Sequence, residues 1–166
     1  DPGRVPGAAA HPLRGQRVAL IQGNFDQRHK LDAAYFNKMQ HFYVDTTSHL
    51  PSDVSLVFWP ETVVPTFLLE LPSFVRPLQA TLSLRPTQVI LGVPVRDDRD
   101  QFYNAAVLFD DSGARQRYAK MALVPFGEYV PFRDWLGGLF KNGMFLQADY
   151  SPGLRFAPLQ TRWGKA

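Results

Sequence analysis

The sequence predicts one α/β layered domain, and three observations support this prediction. Short apolar runs that are closed by glycine, asparagine or proline, such as residues 17–25, are typical of buried strands. Between two such runs, apolar residues recur at spacings of three and four, which is typical of an amphipathic helix. The tetrad DDSG at residues 110–113 supplies a turn between two further apolar runs. The expected order is βαβαβββ with a long loop after Lys120, and we find no internal repeat.

The first half of the domain alternates strands and helices. Residues 17–25 (RVALIQGNF) and residues 54–59 (VSLVFW) are each expected to form a buried strand. Residues 29–49 between them predict a helix, because apolar side chains line one face. These side chains are Leu31, Tyr35, Met39, Phe42 and Tyr43. A second helical stretch is expected from Phe67 to Leu84, with interruptions at Pro72 and Pro77.

The second half of the domain consists mainly of strands. Residues 87–95 (TQVILGVPV) predict the third strand, and residues 101–120 predict two strands joined by the DDSG turn. Residues 132–140 (FRDWLGGLF) predict a short helix. Residues 153–161 (GLRFAPLQT) predict the last strand.

The composition fits a folded domain behind a tether. Apolar residues make up 45% of the chain and aromatic residues 13%, which is enough for a sizeable core. The net charge is only +3 and the basic residues are scattered, which argues against nucleic-acid binding. Residues 1–16 are rich in proline and glycine and predict a linker.

No apolar run is long enough to span a membrane, and no signal-peptide pattern follows Asp1. Because the chain does not begin with methionine, we expect a processed product or a piece of a longer protein.

No residue pattern predicts a cofactor. The chain contains no cysteine, which excludes disulfides and thiolate metal sites. The four histidines are dispersed, with no clustered carboxylates to complete a metal site. They are His11, His29, His41 and His49. Phosphate-loop and dinucleotide motifs are absent, so no nucleotide cofactor is expected.

Glu61 stands out because it directly follows the apolar run LVFWP. We expect its carboxylate at the carboxyl end of a central strand, where open α/β sheets bind ligands. Enclosed among Phe58, Trp59 and Val63, the carboxylate would be desolvated, as suits a general base. The other interpretation is an N-cap for the following segment or a surface pair with an arginine.

Lys120 and Glu128 stand on either side of an apolar loop. Lys120 ends a predicted strand. In a catalytic role, its ammonium would stabilise an oxyanion or tune a neighbouring carboxylate. The other interpretation is an exposed lysine at the end of a strand. Glu128 lies in PFGEYVP among aromatic and aliphatic residues. Either it points to water or it has a partner such as Lys120, because an unpaired buried carboxylate is costly.

Four stretches resemble the apolipoprotein N-acyltransferases of the nitrilase superfamily. They are VALIQGNFDQ, LVFWPETVVP, YNAAVLFDDSG and, above all, YAKMALVPFGEYVPFRDWL. The resemblance covers residues 17–166 and implies a nitrilase-like αββα sandwich, of which this chain is the N-terminal portion. Simple amidases of the superfamily lack the GEYVP extension, which therefore favours the acyltransferases.

The resemblance implies a catalytic set of glutamate, lysine and cysteine. Glu61 matches the general base, Lys120 the lysine that stabilises the tetrahedral intermediate, and Glu128 a second glutamate near the catalytic centre. A cysteine thiolate would take an acyl chain from a phospholipid as a thioester and pass it to the α-amine of a lipoprotein's diacylglyceryl-cysteine. The implied location is the bacterial inner membrane, with the domain on the periplasmic face.

The apolar loop at residues 121–140 suits substrates that lie in a bilayer. Phe126, Tyr129 and Trp135 are the candidate substrate-binding residues. Five further side chains would line an acyl path or rest on the membrane surface; packing against the sandwich is the other interpretation. These five are Val130, Phe132, Leu136, Leu139 and Phe140.

The chain also departs from the pattern of the acyltransferases. The family's nucleophilic cysteine follows a segment like TRWGKA, whereas this chain stops at Ala166, and the family's membrane helices would precede residues 1–16. Leu31 stands where members often have tryptophan. We therefore expect an N-terminal fragment whose first 16 residues are the linker from a membrane region. Alone, it is expected to be inactive, poorly stable and prone to aggregate through unpaired strand edges.

Two other functions remain open at this point. The first is a soluble carbon-nitrogen hydrolase, such as an amidase, in which the apolar loop closes over a small substrate. The second is a degenerate, non-catalytic nitrilase-like module that binds lipid or a partner protein.

Overall fold

A computed structural model describes residues 15–26, 33–61, 63, 66–125, 127–129 and 150–166. A five-stranded sheet forms the centre, in the order β1-β2-β3-β4-β5, and a two-stranded hairpin, β6-β7, lies near the end of the chain. The strands are β1 (Arg17–Leu20), β2 (Val54–Phe58), β3 (Gln88–Arg96), β4 (Phe102–Asp110), β5 (Gly113–Ala119), β6 (Gln160–Thr161) and β7 (Gly164–Lys165). The helices are α1 (Ala33–Ser48) and α2 (Pro72–Ser83), and a short 3₁₀ helix (Leu68–Glu70) precedes α2. The α/β class predicted from the sequence is confirmed.

The direction of the strands brings several strand ends to one edge of the sheet. β1, β2 and β3 are parallel, and β3, β4 and β5 are antiparallel neighbours. The carboxyl ends of β2, β3 and β5 therefore meet the amino end of β4 at the same edge. The DDSG turn lies at the opposite edge, where Gly113 adopts a φ of 103°, a conformation that glycine tolerates without strain.

Both helices cover one face of the sheet and build the main core. Met39 and Tyr43 of α1, and Phe74, Leu78 and Leu82 of α2, are buried. They pack against alternate residues of the strands, as the period of two requires. These strand residues are Val57, Val89, Leu91, Val93, Ala105, Val107 and Phe109. Each large apolar side chain buried in this way stabilises the fold by about 1.5–3 kcal/mol.

The second face of the sheet carries a smaller cluster in which Leu56, Ile90, Leu108 and Leu159 are buried. The β6-β7 hairpin docks here through a reciprocal pair of hydrogen bonds. The side-chain amide of Gln116 donates to the carbonyl of Gln160 at 3.0 Å, and the backbone N–H of Gln160 donates to the Gln116 side chain at 2.9 Å.

The structure corrects three expectations about the elements. β1 is not buried: it lies at the edge of the described sheet, and Leu20 is 80% exposed. Only Gln160–Thr161 of the expected strand at 153–161 is extended in a ladder. Pro72 does not interrupt a helix but begins α2, since proline at the first helical position loses no hydrogen bond.

The interruption expected at Pro77 is also wrong, because α2 continues through this residue. The other expected elements are either met within a few residues or cannot be compared. The short helix expected at 132–140 lies outside the described residues. Among the helices of the described part, none is long and apolar enough to cross a membrane.

Candidate active site

The backbone around Glu61 is held firmly at the carboxyl end of β2. The N–H of Trp59 donates to the carbonyl of Ile90 at 2.9 Å, and the N–H of Val63 donates to the carbonyl of Gly92 at 2.9 Å. The Trp59 indole N–H also donates to the hydroxyl of Thr47 at 3.2 Å, in a buried contact. Glu61 therefore stands between two buried anchors on a continuation of the β2-β3 ladder.

The expectation that Glu61 is enclosed by its neighbours is wrong for this structure. Trp59 and Val63 are buried, but they belong to the core on the helical side. The side chain of Glu61 is 60% exposed. Its ion-pair partner is not an arginine, as the other interpretation had it, but Lys120, whose Nζ lies 2.9 Å from Glu61 Oε1.

Lys120 follows β5 and contacts both glutamates. Its Nζ donates to Glu61 Oε1 at 2.9 Å and to Glu128 Oε1 at 3.1 Å. Its backbone N–H donates to the carbonyl of Asn104 at 2.8 Å, which extends the β4-β5 ladder by one bond. The side chain is 32% exposed, so the ammonium is partly shielded from water.

Glu128 is fixed by a tight turn, and its carboxylate points inward. Its backbone N–H donates to the carbonyl of Val124 at 2.8 Å, and the N–H of Val124 donates in return to Glu128 Oε2 at 2.8 Å. The side chain is only 12% exposed. Of the two interpretations of Glu128, pairing with Lys120 is the one that the structure contains.

Asn104 is a member of the site that sequence reasoning missed. It lies in β4, is 5% exposed, and donates from Nδ2 to Glu61 Oε1 at 2.6 Å and to Glu128 Oε1 at 2.7 Å. One signal for it existed in the sequence. An asparagine within the apolar strand FYNAAVLFD requires a hydrogen-bonding partner once it is buried.

Tyr150 is a second residue that sequence reasoning missed. Its backbone N–H donates to the carbonyl of Glu128 at 2.9 Å. Burial raises the pKa of its phenol, and the charge of Glu128 raises it further.

The hydrogen bonds of the cluster shift the pKa values of its buried members. The hydrogen bond to Glu61 is the largest cause that raises the pKa of Lys120, and Glu128 raises it further against the opposing effect of burial. Burial alone would raise the pKa of Glu128, but the hydrogen bonds from Asn104, Val124 and Lys120 hold it below its ordinary value. The lysine is therefore a cation and Glu128 a carboxylate at neutral pH.

An apolar cleft of about 330 Å³ opens beside this cluster. Glu61, Asn104 and Lys120 form its polar end. The rest of its wall is small or apolar and consists of Trp59, Ile90, Gly92, Ala105, Ala106 and Tyr118. A similar cleft of about 340 Å³ elsewhere, near Phe67 and Arg117, does not touch these catalytic candidates. The arrangement combines an exposed carboxylate, a shared cation and an apolar wall, which suits acyl chemistry on an apolar substrate.

The predicted substrate-binding residues are only partly accounted for. Tyr129 is half-buried and follows Glu128 in the turn. Phe126 and Trp135 lie outside the described residues, as do Leu31 and the other five apolar side chains of the loop. No group of three or more histidine, aspartate or glutamate side chains that could hold a metal occurs in the described part of the chain.

Sequence comparison finds several relatives described as apolipoprotein N-acyltransferases. The chain is 32% identical over 163 residues to the apolipoprotein N-acyltransferase of Vibrio parahaemolyticus, covering 86% of this chain and 32% of that protein. It is 36% identical over 140 residues to that of Methylococcus capsulatus, covering 82% of this chain and 27% of that protein. The chain thus spans about a third or less of the length of the curated relatives that it matches.

Comparison with solved structures finds proteins with a similar fold and low sequence identity. A carbon-nitrogen hydrolase superfamily protein of Xanthomonas campestris superposes with a TM-score of 0.51 at 17% identity, covering 77% of this chain and 44% of that chain. An N-terminal amidase with an Asn-Glu-Ala peptide gives a TM-score of 0.50 at 18% identity, covering 86% of this chain and 33% of that chain. Residues 17–166 match the family described as carbon-nitrogen hydrolase, and the chain therefore belongs to that family.

Proposed function

We propose that the complete protein containing this chain is an apolipoprotein N-acyltransferase, in which residues 17–166 are the N-terminal part of the nitrilase-like domain. The observation that supports this most directly is the contact of Lys120 with both Glu61 and Glu128 across the base of the GEYVP loop. The identity of 31–36% to proteins of that name across most of this chain favours the same reaction.

Glu61 is the general base of the proposed reaction. Its exposed carboxylate stands at the open end of the apolar cleft, where a reacting group can approach. It would deprotonate the nucleophile in the first half-reaction and the attacking amine in the second. The chain holds no cysteine, so the proposed thiol comes from residues outside it, and these residues alone do not form a thioester.

Lys120 stabilises the negative charge that develops on the acyl carbonyl oxygen. An ammonium has three N–H donors, and Glu61 and Glu128 accept two of them. The third can donate to an oxyanion in the cleft, and the two fixed carboxylates orient it in advance.

The proposed substrates are a phospholipid as acyl donor and the diacylglyceryl-cysteine of a lipoprotein as acceptor. The apolar wall of the cleft and the apolar sequence of loop 121–140 suit an acyl chain. This proposal places the protein in the bacterial inner membrane through segments outside this chain, with the domain on the periplasmic face.

An acyl-transfer assay on the complete purified protein tests the proposal. Phospholipid and a diacylglyceryl-cysteine peptide are the substrates, and the expected product is the N-acylated peptide, detected by mass spectrometry. The E61Q variant is expected to lose about 10²–10⁴-fold in rate, as when a general base is removed. E70Q is the matched control, since it removes another exposed, ion-paired glutamate, whose partner is Arg96 and not a member of the cluster.

Two results would contradict the proposal. Release of ammonia from small amides without any acyl transfer would identify an amidase instead. Lipid binding without turnover of either substrate would identify a non-catalytic module.

A further inference from the structure

The side-chain amide of Asn104 joins the two glutamates of the site. Its Nδ2 lies 2.6 Å from Glu61 Oε1 and 2.7 Å from Glu128 Oε1. An amide nitrogen has two N–H donors, and an ionised carboxylate only accepts, so the NH₂ group rather than the oxygen must face the two glutamates. Both donors of this buried amide are thus used on the cluster.

The backbone of Asn104 also fixes the third charged residue. Its carbonyl oxygen accepts the N–H of Lys120 at 2.8 Å. Asn104 is therefore bonded to Glu61, Glu128 and Lys120 together. Asn104 lies in β4. In the sheet, β3 separates β4 from β2, and β5 is the other neighbour of β4. Asn104 therefore lies between the end of β2, which Glu61 follows, and the end of β5, which Lys120 follows.

The cluster holds two negative charges against one positive charge. Two carboxylates that approach each other repel, and such a pair commonly takes up a proton. The Asn104 amide offers each of them a neutral hydrogen bond without adding charge. It therefore helps to hold both glutamates close together around one lysine.

The hydrogen bonds also differ between the two glutamates. Oε1 of Glu128 accepts from Asn104 and Lys120, and its Oε2 accepts from the backbone of Val124. Oε1 of Glu61 likewise accepts from Asn104 and Lys120. For Glu61 Oε2, the described part of the chain supplies no hydrogen bond, and the side chain is 60% exposed.

We propose that Asn104 is a positioning residue that anchors Glu61 through Oε1 and thereby presents Oε2 as the oxygen that takes the proton. Glu128, bound at both oxygens, is an anchor for Lys120 rather than a second base. This inference rests on the proposed function in one respect, namely which reaction the proton transfer serves. The anchoring itself is a statement about geometry and can be tested separately.

The test uses the complete protein with the variants N104L and N104D, which keep a similar side-chain size. N104L removes both donors and is expected to lower kcat about 10²-fold, as a misplacement of about 1 Å does, with KM for phospholipid within about twofold of wild type. N104D introduces a third carboxylate, which can donate only when protonated. Its rate relative to wild type is expected to fall as pH rises, whereas the relative rate of N104L stays constant with pH.

N37D and N37L are the matched controls, because Asn37 is exposed on α1 and away from the cluster. Both are expected to keep wild-type rates. Wild-type kcat in N104L, or rate ratios of N104D and N104L with the same pH dependence, would overturn the positioning role. If either variant fails to fold, the other supplies the comparison with wild type.

Crystal structures of the wild-type protein and N104L separate this inference from the proposed function. If the wild type transfers no acyl chain, the proposed reaction fails, but the anchoring is still tested. We expect the Glu61 and Glu128 carboxylates to move apart by about 1 Å or more when both donors are removed. Unchanged carboxylate positions in N104L would overturn the inference whatever the reaction.

Discussion

The backbone N–H of Gly153 donates to the carbonyl oxygen of Lys120 at 2.9 Å. Three residues earlier in the same segment, the N–H of Tyr150 donates to the carbonyl of Glu128 at 2.9 Å. Residues 150–153 therefore hold the backbones of both Lys120 and Glu128, although they lie far from both in sequence. The pairing requires close approach, because a Cβ on Gly153 would overlap the carbonyl oxygen of Ala119.

The G153A variant is expected to displace this segment and to destabilise the protein. Inserting a methyl group against backbone that cannot move aside costs about 1–3 kcal/mol. The melting temperature should fall by several degrees, and acyl transfer should weaken because the strand end that carries Lys120 shifts. G127A is the control for stability, since a Cβ there would meet Val124 at an ordinary 3.4 Å. An unchanged melting temperature in G153A would show that the segment does not hold Lys120.

Arg85 is expected to stabilise the C-terminal end of α1. Its guanidinium donates to the carbonyls of Thr47 at 3.2 Å and Ser48 at 2.6 Å in the last turn of α1, and to the carbonyl of Leu50 at 3.0 Å just beyond it. Hydrogen bonds from a charged donor are each worth about 1.5–3 kcal/mol. R85A should therefore lower the melting temperature by at least about 4 °C.

R85K should recover little of this loss, because a lysine cannot reproduce the planar fork of donors. R76A, at an exposed arginine of α2, is the control and should have a small effect. If R85A melts like R76A, the capping role is contradicted.

The strands and helices could be predicted where periodicity and turn chemistry agree. β4 and β5 lie within the predicted range because the DDSG turn fixes their connection, and β3 ends only one residue beyond its range because its apolar run is long. β1 was predicted as buried because its run is apolar, but a run of residues does not show which position in a sheet it occupies. A proline within an apolar helical pattern predicts an interruption, but at Pro72 the same constraint on φ suits the start of a helix.

Three charged residues of the site can be selected from the sequence, whereas Asn104, Tyr150 and the geometry of the site cannot. Glu61, Lys120 and Glu128 could be selected because each is an ionisable residue in apolar surroundings. The contact between Glu61 and Lys120 joins residues 59 positions apart, and it depends on strand order, which no local pattern encodes. For the same reason, the exposure of Glu61 and the hydrogen bonds of Asn104 to both glutamates can be recognised only in the folded sheet.

The K120M variant is expected to stop acyl transfer by removing the shared cation. A lost donor to a developing oxyanion lowers kcat by about 10²–10³-fold. The readout is the acyl-enzyme thioester, followed by intact mass in the complete protein after addition of phospholipid. K38M is the matched control, because Lys38 is exposed on α1 and its Nζ lies over the ring of Tyr35, 5.9 Å from the ring centroid. Thioester formation at the wild-type rate in K120M would contradict the role assigned to Lys120.

The contribution of Glu128 to stability is expected to depend on pH on the acid side. Its pKa in the folded protein lies below its ordinary value of 4.5, because the hydrogen bonds from Asn104, Val124 and Lys120 outweigh the opposing effect of burial. A lowered pKa stabilises the folded state above pH 4.5, and this contribution is lost as pH falls through the folded-state pKa. E128Q should therefore melt well below the wild type at pH 7, and the difference should shrink when both are compared below pH 4.5.

Thermal unfolding of the complete protein between pH 7 and pH 3 provides the measurement for Glu128. E70Q is again the control, since its exposed ion pair with Arg96 contributes about 1 kcal/mol or less at neutral pH. If the melting difference between E128Q and wild type stays constant over the whole pH range, Glu128 does not hold its charge through these bonds. The cluster would then be stabilised by its neutral contacts, and the ion pair between Glu128 and Lys120 would have no measurable part in the fold.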